Sequence, residues 1–310
     1  MRIAIMGTGG IGGYFGGRLA HAGEAVTFIA RGAQLKALRS DGLHLHLLDG
    51  SDLEVAPVSA TDDPATIGRV DLVIVAVKAW QVPEAAQTIR PLVGADTVVL
   101  PLENGVEAAD QLAAVLGPRA VLGGLCHISA FVERPGHIRH AGIDPSITFG
   151  ELDNSRTPRV ERLQQTLQHA GVRAVVADDI QAALWTKFLF IAALSGVGAV
   201  TRAPLGVTRS VPDTRALLHQ AMEEIQTLAA ARGVALAPSV IDQTLAFVDK
   251  MPGTVVASMH RDIMEGRPSE LEAQNGAIVR LGEAAGVDVS LHRFIYASLL
   301  PSEMKARGAL

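Results

Sequence analysis

The run Gly7-Thr8-Gly9-Gly10-Ile11-Gly12 has the spacing G-x-G-x-x-G. Alone this is a weak signal. Here an apolar strand pattern at 2–6 precedes it, a helix pattern at 11–22 follows, and a second apolar strand comes at 25–30. In that setting the first glycine permits a tight turn. The second admits a pyrophosphate against bare backbone, and the third lets helix and strand pack closely. The helix N-terminus adds free N–H groups and the positive end of its dipole. Gly7, Thr8, Gly9, Gly10, Ile11 and Gly12 are therefore expected to cradle a dinucleotide.

The end of the second strand chooses between dinucleotides, because an acid there binds the ribose 2′-hydroxyl of NAD. This chain carries Arg31 instead, with no competing carboxylate. A guanidinium suits a 2′-phosphate through paired, charge-assisted hydrogen bonds, so NADP(H) is the expected cofactor. Lys36 and Arg39 would add positive field, although a solvated helix face is the preferred account of them. Lys78 follows the β-branched run at 72–77, at the carboxyl edge where such sheets bind ligands, and is expected to touch the cofactor. Asn104 stands just before a helix pattern at 107–116. It either caps that helix or holds the nicotinamide ribose or the substrate.

In the second half, Lys187 is followed directly by Phe188, Leu189, Phe190 and Ile191. A lysine in apolar company is partly desolvated and gives up a proton more readily. It could protonate an oxygen that gains negative charge, or stabilise that charge. A lysine snorkelling from a packed helix is the plainer alternative. Glu270 falls near the start of a helix pattern at 268–285, where the dipole favours a carboxylate.

Together these motifs resemble the ketopantoate reductase (2-dehydropantoate 2-reductase) family. The resemblance rests on Gly7–Gly17, Ala30-Arg31-Gly32, Val77-Lys78-Ala79, Glu103-Asn104-Gly105-Val106, Gly150-Glu151 and Trp185-Thr186-Lys187. Ser258-Met259 with Asp262, and Ser269-Glu270-Leu271 with Asn275-Gly276, extend it in family order over nearly the whole chain. Glu103 stands where the family usually has glutamine.

The resemblance implies NADPH-dependent reduction of a branched 2-oxo acid, as in 2-dehydropantoate to pantoate in pantothenate biosynthesis. It implies that Lys187 is the general acid and that Glu270 anchors the substrate hydroxyl or orients the lysine. Ser258 would contact the carboxylate end, and Asn104 both cofactor and substrate. Two positions depart from the family: Ile191 and Ser195 replace asparagines. Residues 187, 191 and 195 share a helix face, so both changes are expected in the substrate pocket. An apolar Ile191 cannot hydrogen-bond a substrate hydroxyl, which points to an oxo acid less polar than ketopantoate. A related dehydrogenase, or a cofactor-binding protein without turnover, are the rival expectations.

The elements that must position these residues follow from patterning. Strands alternate with helices up to a strand at 174–176, which implies βαβ units and a doubly wound parallel sheet of Rossmann type. Short strand patterns at 131–133, 137–140 and 146–149 suggest an antiparallel extension. Beyond 178 only helix patterns remain, at 178–194, 214–232, 238–249, 268–285 and 291–300, with Pro204, Pro212, Pro252 and Pro301 between them. Two domains are expected: 1–178, binding the dinucleotide, and 179–310, an all-helical substrate and dimerisation domain. A homodimer is allowed by this pattern and not required by it.

Composition sets outer limits. The chain has 310 residues, 48% hydrophobic and 19% charged, with a net charge of −5. That balance describes a globular α/β protein and argues against a nucleic-acid partner. The single cysteine, Cys126, excludes an intrachain disulfide and suits a reducing, cytoplasmic setting. The longest apolar run, 188–200, is broken by Ser195, Gly196 and Gly198 and is expected to be too short for a membrane span. His44 and His46 alternate on a strand, as solvent-facing residues without a third metal ligand; no metal is expected. His127 and His260 are weaker pocket candidates.

Overall fold

The computed structural model describes residues 1–310. Its chain divides into two compact units. The first comprises Met1–Glu103 and Glu107–Ile180, the second Asn104–Val106 and Gln181–Leu310.

The first unit begins β1 (Arg2–Met6), α1 (Gly10–His21), β2 (Ala25–Ile29) and α2 (Gly32–Asp41). Next come β3 (Leu43–His46), β4 (Asp52–Val55), β5 (Ser59–Thr61), β6 (Leu72–Val75), α3 (Val82–Ile89) and β7 (Val98–Pro101). The central sheet runs β5-β2-β1-β6-β7, all pairs parallel. This is the Rossmann order, and its switch point lies between β1 and β6. Every residue of β6 and β7 is buried, as expected of strands covered on both faces. Ile3, Ile5, Leu72 and Ile74 fill one side of the sheet, and Ala4, Val73, Val75 and Val99 the other.

The rest of this unit is α4 (Ala108–Leu116), β8 (Gly123–His127), β9 (Ala130–Arg134), β10 (His137–His140), β11 (Ser146–Gly150), α5 (Pro158–His169) and β12 (Arg173–Val176). They form two smaller sheets, β4-β3-β10-β9 and β12-β11-β8. The expected antiparallel pairing is present in β9–β10 and β8–β11. Pro118–Ala120 is a 3-10 turn, and pairing of β8 with β11 starts at Gly123. The consecutive strands β4 and β5 join different sheets. Helix α2 carries Lys36 and Arg39, in keeping with the helix face expected for them.

The second unit is helical: α6 (Ile180–Thr201), α7 (Leu205–Ser210), α8 (Pro212–Ala231), α9 (Val240–Lys250), α10 (Ser258–Met264), α11 (Ala277–Ala285) and α12 (Ser290–Ala306). Its core is built on α6, whose Trp185, Phe188, Leu189, Ala192 and Val197 pack with Leu218, Met222 and Ile225 of α8. A helix apolar all round is a buried one.

Three sequence expectations fail here. First, α6 does not stop near Leu194; it continues through Gly196 and Gly198. At Gly196 a Cβ would sit 2.6 Å from Asn275 Nδ2, so the glycines mark close packing rather than an end. The complete α6 is long and apolar enough to cross a membrane, contrary to the reading of 188–200, yet 67% of its most apolar stretch is buried inside the protein. Second, Pro301 does not separate elements but lies inside α12, with its ring exposed. Third, the helix expected at 268–285 is regular only from Ala277; Glu272–Gly276 form a π-helical turn, and Ser269-Glu270 are not helical.

Candidate active site

In the first unit the glycine run forms the β1–α1 turn. Gly7 has φ +95°, and a Cβ there would sit 2.7 Å from the carbonyl oxygen of Ala76. That left-handed conformation and lack of room call for glycine. A Cβ on Gly12 would meet the Gly7 carbonyl at 2.0 Å, whereas one on Gly9 would meet nothing within 4 Å. The turn is therefore locked at both ends and open at Gly9. Helix α1 begins there with no side-chain cap. Its first N–H groups stay available to an anion, so the residues present fit a dinucleotide pyrophosphate. Thr8 is buried, and its hydroxyl donates to the carbonyl of Ile29 at 3.2 Å, tying the loop to β2.

Arg31 stands at the start of α2 with an exposed side chain. Its guanidinium lies 3.4 Å from Glu84 on α3, an exposed pair that a stronger anion could displace. Arg39 instead donates to the carbonyl of Ala60 at 3.0 Å, and Lys36 is on the solvated face. Lys78 follows β6, where its backbone N–H donates to Gln81 Oε1 at 3.2 Å. Its ammonium lies 5.7 Å from the centre of the Trp80 ring. Glu103, buried, accepts from the N–H of Val77 at 3.1 Å. The carboxylate at the family's glutamine position thus ties β7 to the loop after β6.

In the second unit Asn104 does not cap α4, whose cap position is Glu107. Its Nδ2 donates to Glu270 Oε2 at 3.0 Å, joining residues 166 apart in sequence. Gly105 makes this approach feasible: its φ is +112°, and its Cβ position lies only 3.1 Å from the Ala273 carbonyl. Glu270 is buried, at 6% exposure. It stands at a bend just before the π-helical turn, its carbonyl accepting from the N–H of Gln274 at 3.0 Å and its carboxylate from Asn104.

Lys187 is half-buried on α6. One turn on, Ile191 is also half-buried; with Phe190, Met251 and Val255 it packs against Leu194, Leu205, Val248 and Ala257. Val255 extends the apolar surface that Ile191 begins, and sequence patterning did not single it out. Ser195 is fully buried, and its Oγ has no hydrogen-bond partner. Ser258 is exposed at the first residue of α10.

The histidines have structural settings. His44 and His46 are half-buried rather than solvent-facing, because His137 of β10 stacks on His44 at 4.4 Å and lies beside His46 at 5.3 Å. His260 is buried against Gly198 of α6, and burial pushes its imidazole below the usual range. His127 is exposed. Cys126 is buried, its Sγ 3.6 Å from the Leu102 carbonyl.

A Rossmann sheet with an open glycine turn, followed by a helical unit carrying a half-buried lysine and a paired glutamate, defines a dinucleotide-dependent oxidoreductase. The sequence pattern of Ketopantoate reductase PanE/ApbA matches residues 3–154, and that of its C-terminal part matches 179–302. The chain belongs to the ketopantoate reductase family. A 2-dehydropantoate 2-reductase of Mesorhizobium japonicum is 32% identical over 303 residues, covering 91% of each chain. The crystal structure of a PanE/ApbA family ketopantoate reductase from Ralstonia eutropha superposes with a TM-score of 0.90 at 32% identity, covering 99% of this chain and 100% of that one. D-mandelate dehydrogenase, solved with NADH and anilino(oxo)acetate, shares the fold with a TM-score of 0.90 at 24% identity, over 99% and 100% of the two chains.

Proposed function

We propose that this chain reduces a branched 2-oxo acid to the 2-hydroxy acid with NADPH, as its 2-dehydropantoate 2-reductase relatives are named for doing. The observation that carries this reading is the Asn104–Glu270 hydrogen bond, in the same unit as a half-buried Lys187. Arg31 supports NADPH over NADH, because its exposed guanidinium can pair with a 2′-phosphate.

When bound, the dinucleotide supplies the hydride. Gly7–Gly12 and the N-terminus of α1 hold its pyrophosphate, Arg31 its 2′-phosphate, and Lys78 a further anionic or ribose oxygen. Lys187 donates its proton to the carbonyl oxygen of the oxo acid as C2 is reduced, and its charge stabilises that oxygen beforehand. Glu270 accepts a hydrogen bond from the substrate hydroxyl or from the lysine, with Asn104 holding the carboxylate still. Ser258 receives the carboxylate end of the substrate.

A second reading of substrate is favoured by Ile191. Its apolar patch with Phe190, Met251 and Val255 suits an oxo acid without a hydroxyl near that wall. Cofactor oxidation is the test, with 2-dehydropantoate set beside branched 2-oxo acids that lack the hydroxyl. Turnover of 2-dehydropantoate at the higher kcat/KM supports the first reading, and preference for the unhydroxylated acids the second. No turnover of any 2-oxo acid would overturn both.

A further inference from the structure

Ser269, the residue before Glu270, is fully buried, and its polar groups are held by one pair of side chains. Its backbone N–H donates to both oxygens of Glu303, at 3.1 and 3.0 Å. Its hydroxyl donates to Glu303 Oε2 at 2.5 Å and accepts from the N–H of Leu271 at 3.2 Å. Its carbonyl accepts from Arg307 Nη2 at 2.9 Å. Arg307 in turn donates through Nε to Glu303 Oε1 at 2.6 Å, one turn along α12. Glu303 is 5% exposed.

We infer that Glu303, locked by Arg307, is a positioning residue for the reaction: it fixes the peptide that presents Glu270 to Asn104. The inference rests on the proposed role of Glu270. Ser269 lies outside regular structure, and Glu270 stands at a bend where the first helical bond, from the N–H of Gln274 to its carbonyl at 3.0 Å, only begins, so the peptide on the Ser269 side has no helical ladder to set it. A carboxylate that accepts three hydrogen bonds from one residue, while a guanidinium grips that residue's carbonyl, replaces the ladder. Such charge-assisted bonds are short, directional and strong when shielded from water. The clasp also gives a reason for α12 to continue past Pro301, since a helix ending there would leave Ser269 ungripped. The family pattern matches only to residue 302, so Glu303 and Arg307 lie beyond it.

A merely structural clasp and a positioning one differ in how they couple to Glu270. The experiment measures kcat/KM for a turned-over 2-oxo acid, Tm, and NADPH Kd by fluorescence, in Glu303→Gln, Glu270→Gln and the double variant. Glu303→Gln is expected to lower kcat/KM about tenfold with NADPH Kd unchanged, because a small displacement of a working group costs rate. In the Glu270→Gln background the same change should cost almost nothing, since its route of action is already gone. An equal fold-loss in both backgrounds overturns the inference, and so does a Glu303→Gln enzyme as fast as the parent while Glu270→Gln is slow. Full activity in Glu270→Gln overturns instead the role given to Glu270. If Glu303→Gln does not fold, Ser269→Ala removes only the hydroxyl bond. It should show a smaller loss with the same dependence on Glu270, and additivity there counts against the inference.

Discussion

Asn104 Nδ2 donates to Glu270 Oε2 at 3.0 Å, so two residues of the second unit that lie 166 positions apart in sequence share one hydrogen bond. Glu270 is almost fully buried, and a buried carboxylate deprived of a donor is costly. Asn104→Leu is therefore expected to lower kcat/KM by roughly 10- to 100-fold, from about 1.5–3 kcal/mol for a hydrogen bond to a charged group. Steady-state kinetics checks this; a variant within twofold of the parent removes the pair from the working site.

Lys187 is the proposed proton donor. Lys187→Ala should reduce kcat by about 10²- to 10⁴-fold, the usual contribution of general acid catalysis. NADPH affinity should stay near the parent value, which fluorescence titration can follow. Unimpaired turnover would remove Lys187 from the chemistry.

The proposed preference for NADPH rests on Arg31. Arg31→Ala should weaken NADPH binding by about 10- to 100-fold, given roughly 1.5–3 kcal/mol for charge-assisted hydrogen bonds to the 2′-phosphate. NADH binding should change little. Equal weakening of both, read from the two Kd values, would place the guanidinium elsewhere on the dinucleotide.

Ile191 and Val255 belong to one apolar patch, and Ile191 lies one turn after Lys187 on α6. Ile191→Asn restores an amide where the family has one. It should raise kcat/KM for a hydroxylated oxo acid relative to its unhydroxylated analogue by about tenfold, comparable to one well-made polar contact. An unchanged ratio would show that this side chain does not face the substrate.

Glu224 gives a pH prediction for stability. Burial alone would push its carboxyl up, but His292 Nδ1 at 2.6 Å and the N–H groups of Leu291 and His292 outweigh burial and hold it below the usual carboxylate range. A folded-state value below the unfolded one means that the unfolded chain binds the proton first. The stabilisation is complete above the ordinary carboxylate value and is lost as pH falls through the lowered one. Denaturant unfolding across that acidic window should give a shallower slope of stability against pH in Glu224→Gln, by up to one proton. Parallel slopes would mean that Glu224 titrates alike in both states.

The sequence by itself determined the glycine turn of this protein. G-x-G-x-x-G between a strand and a helix is a local device, and its geometry is written within a dozen residues of chain. Gly7 and Gly12 therefore form the close strand–helix turn expected of them, and Arg31 stands at the N-cap of α2. The Rossmann order and the all-helical second half were legible for the same reason, because periods of two and near four show in short windows.

Tertiary structure decided what depends on distant partners. Whether Asn104 capped a helix or met Glu270 could not be read locally, because the two residues are 166 positions apart. Pro301 signalled an end by its own chemistry, yet α12 continues through Glu303 to a C-cap at Arg307, and the bonds of these two residues to Ser269 exist only in the folded chain. Those same bonds hold Ser269 outside the helix that its pattern predicted. Gly196 and Gly198 read as breaks, but Asn275 and His260 press against them and make small residues a packing requirement. Local propensity is worth a fraction of a kcal/mol to about one per residue, and buried charge-assisted contacts exceed it wherever the fold supplies them.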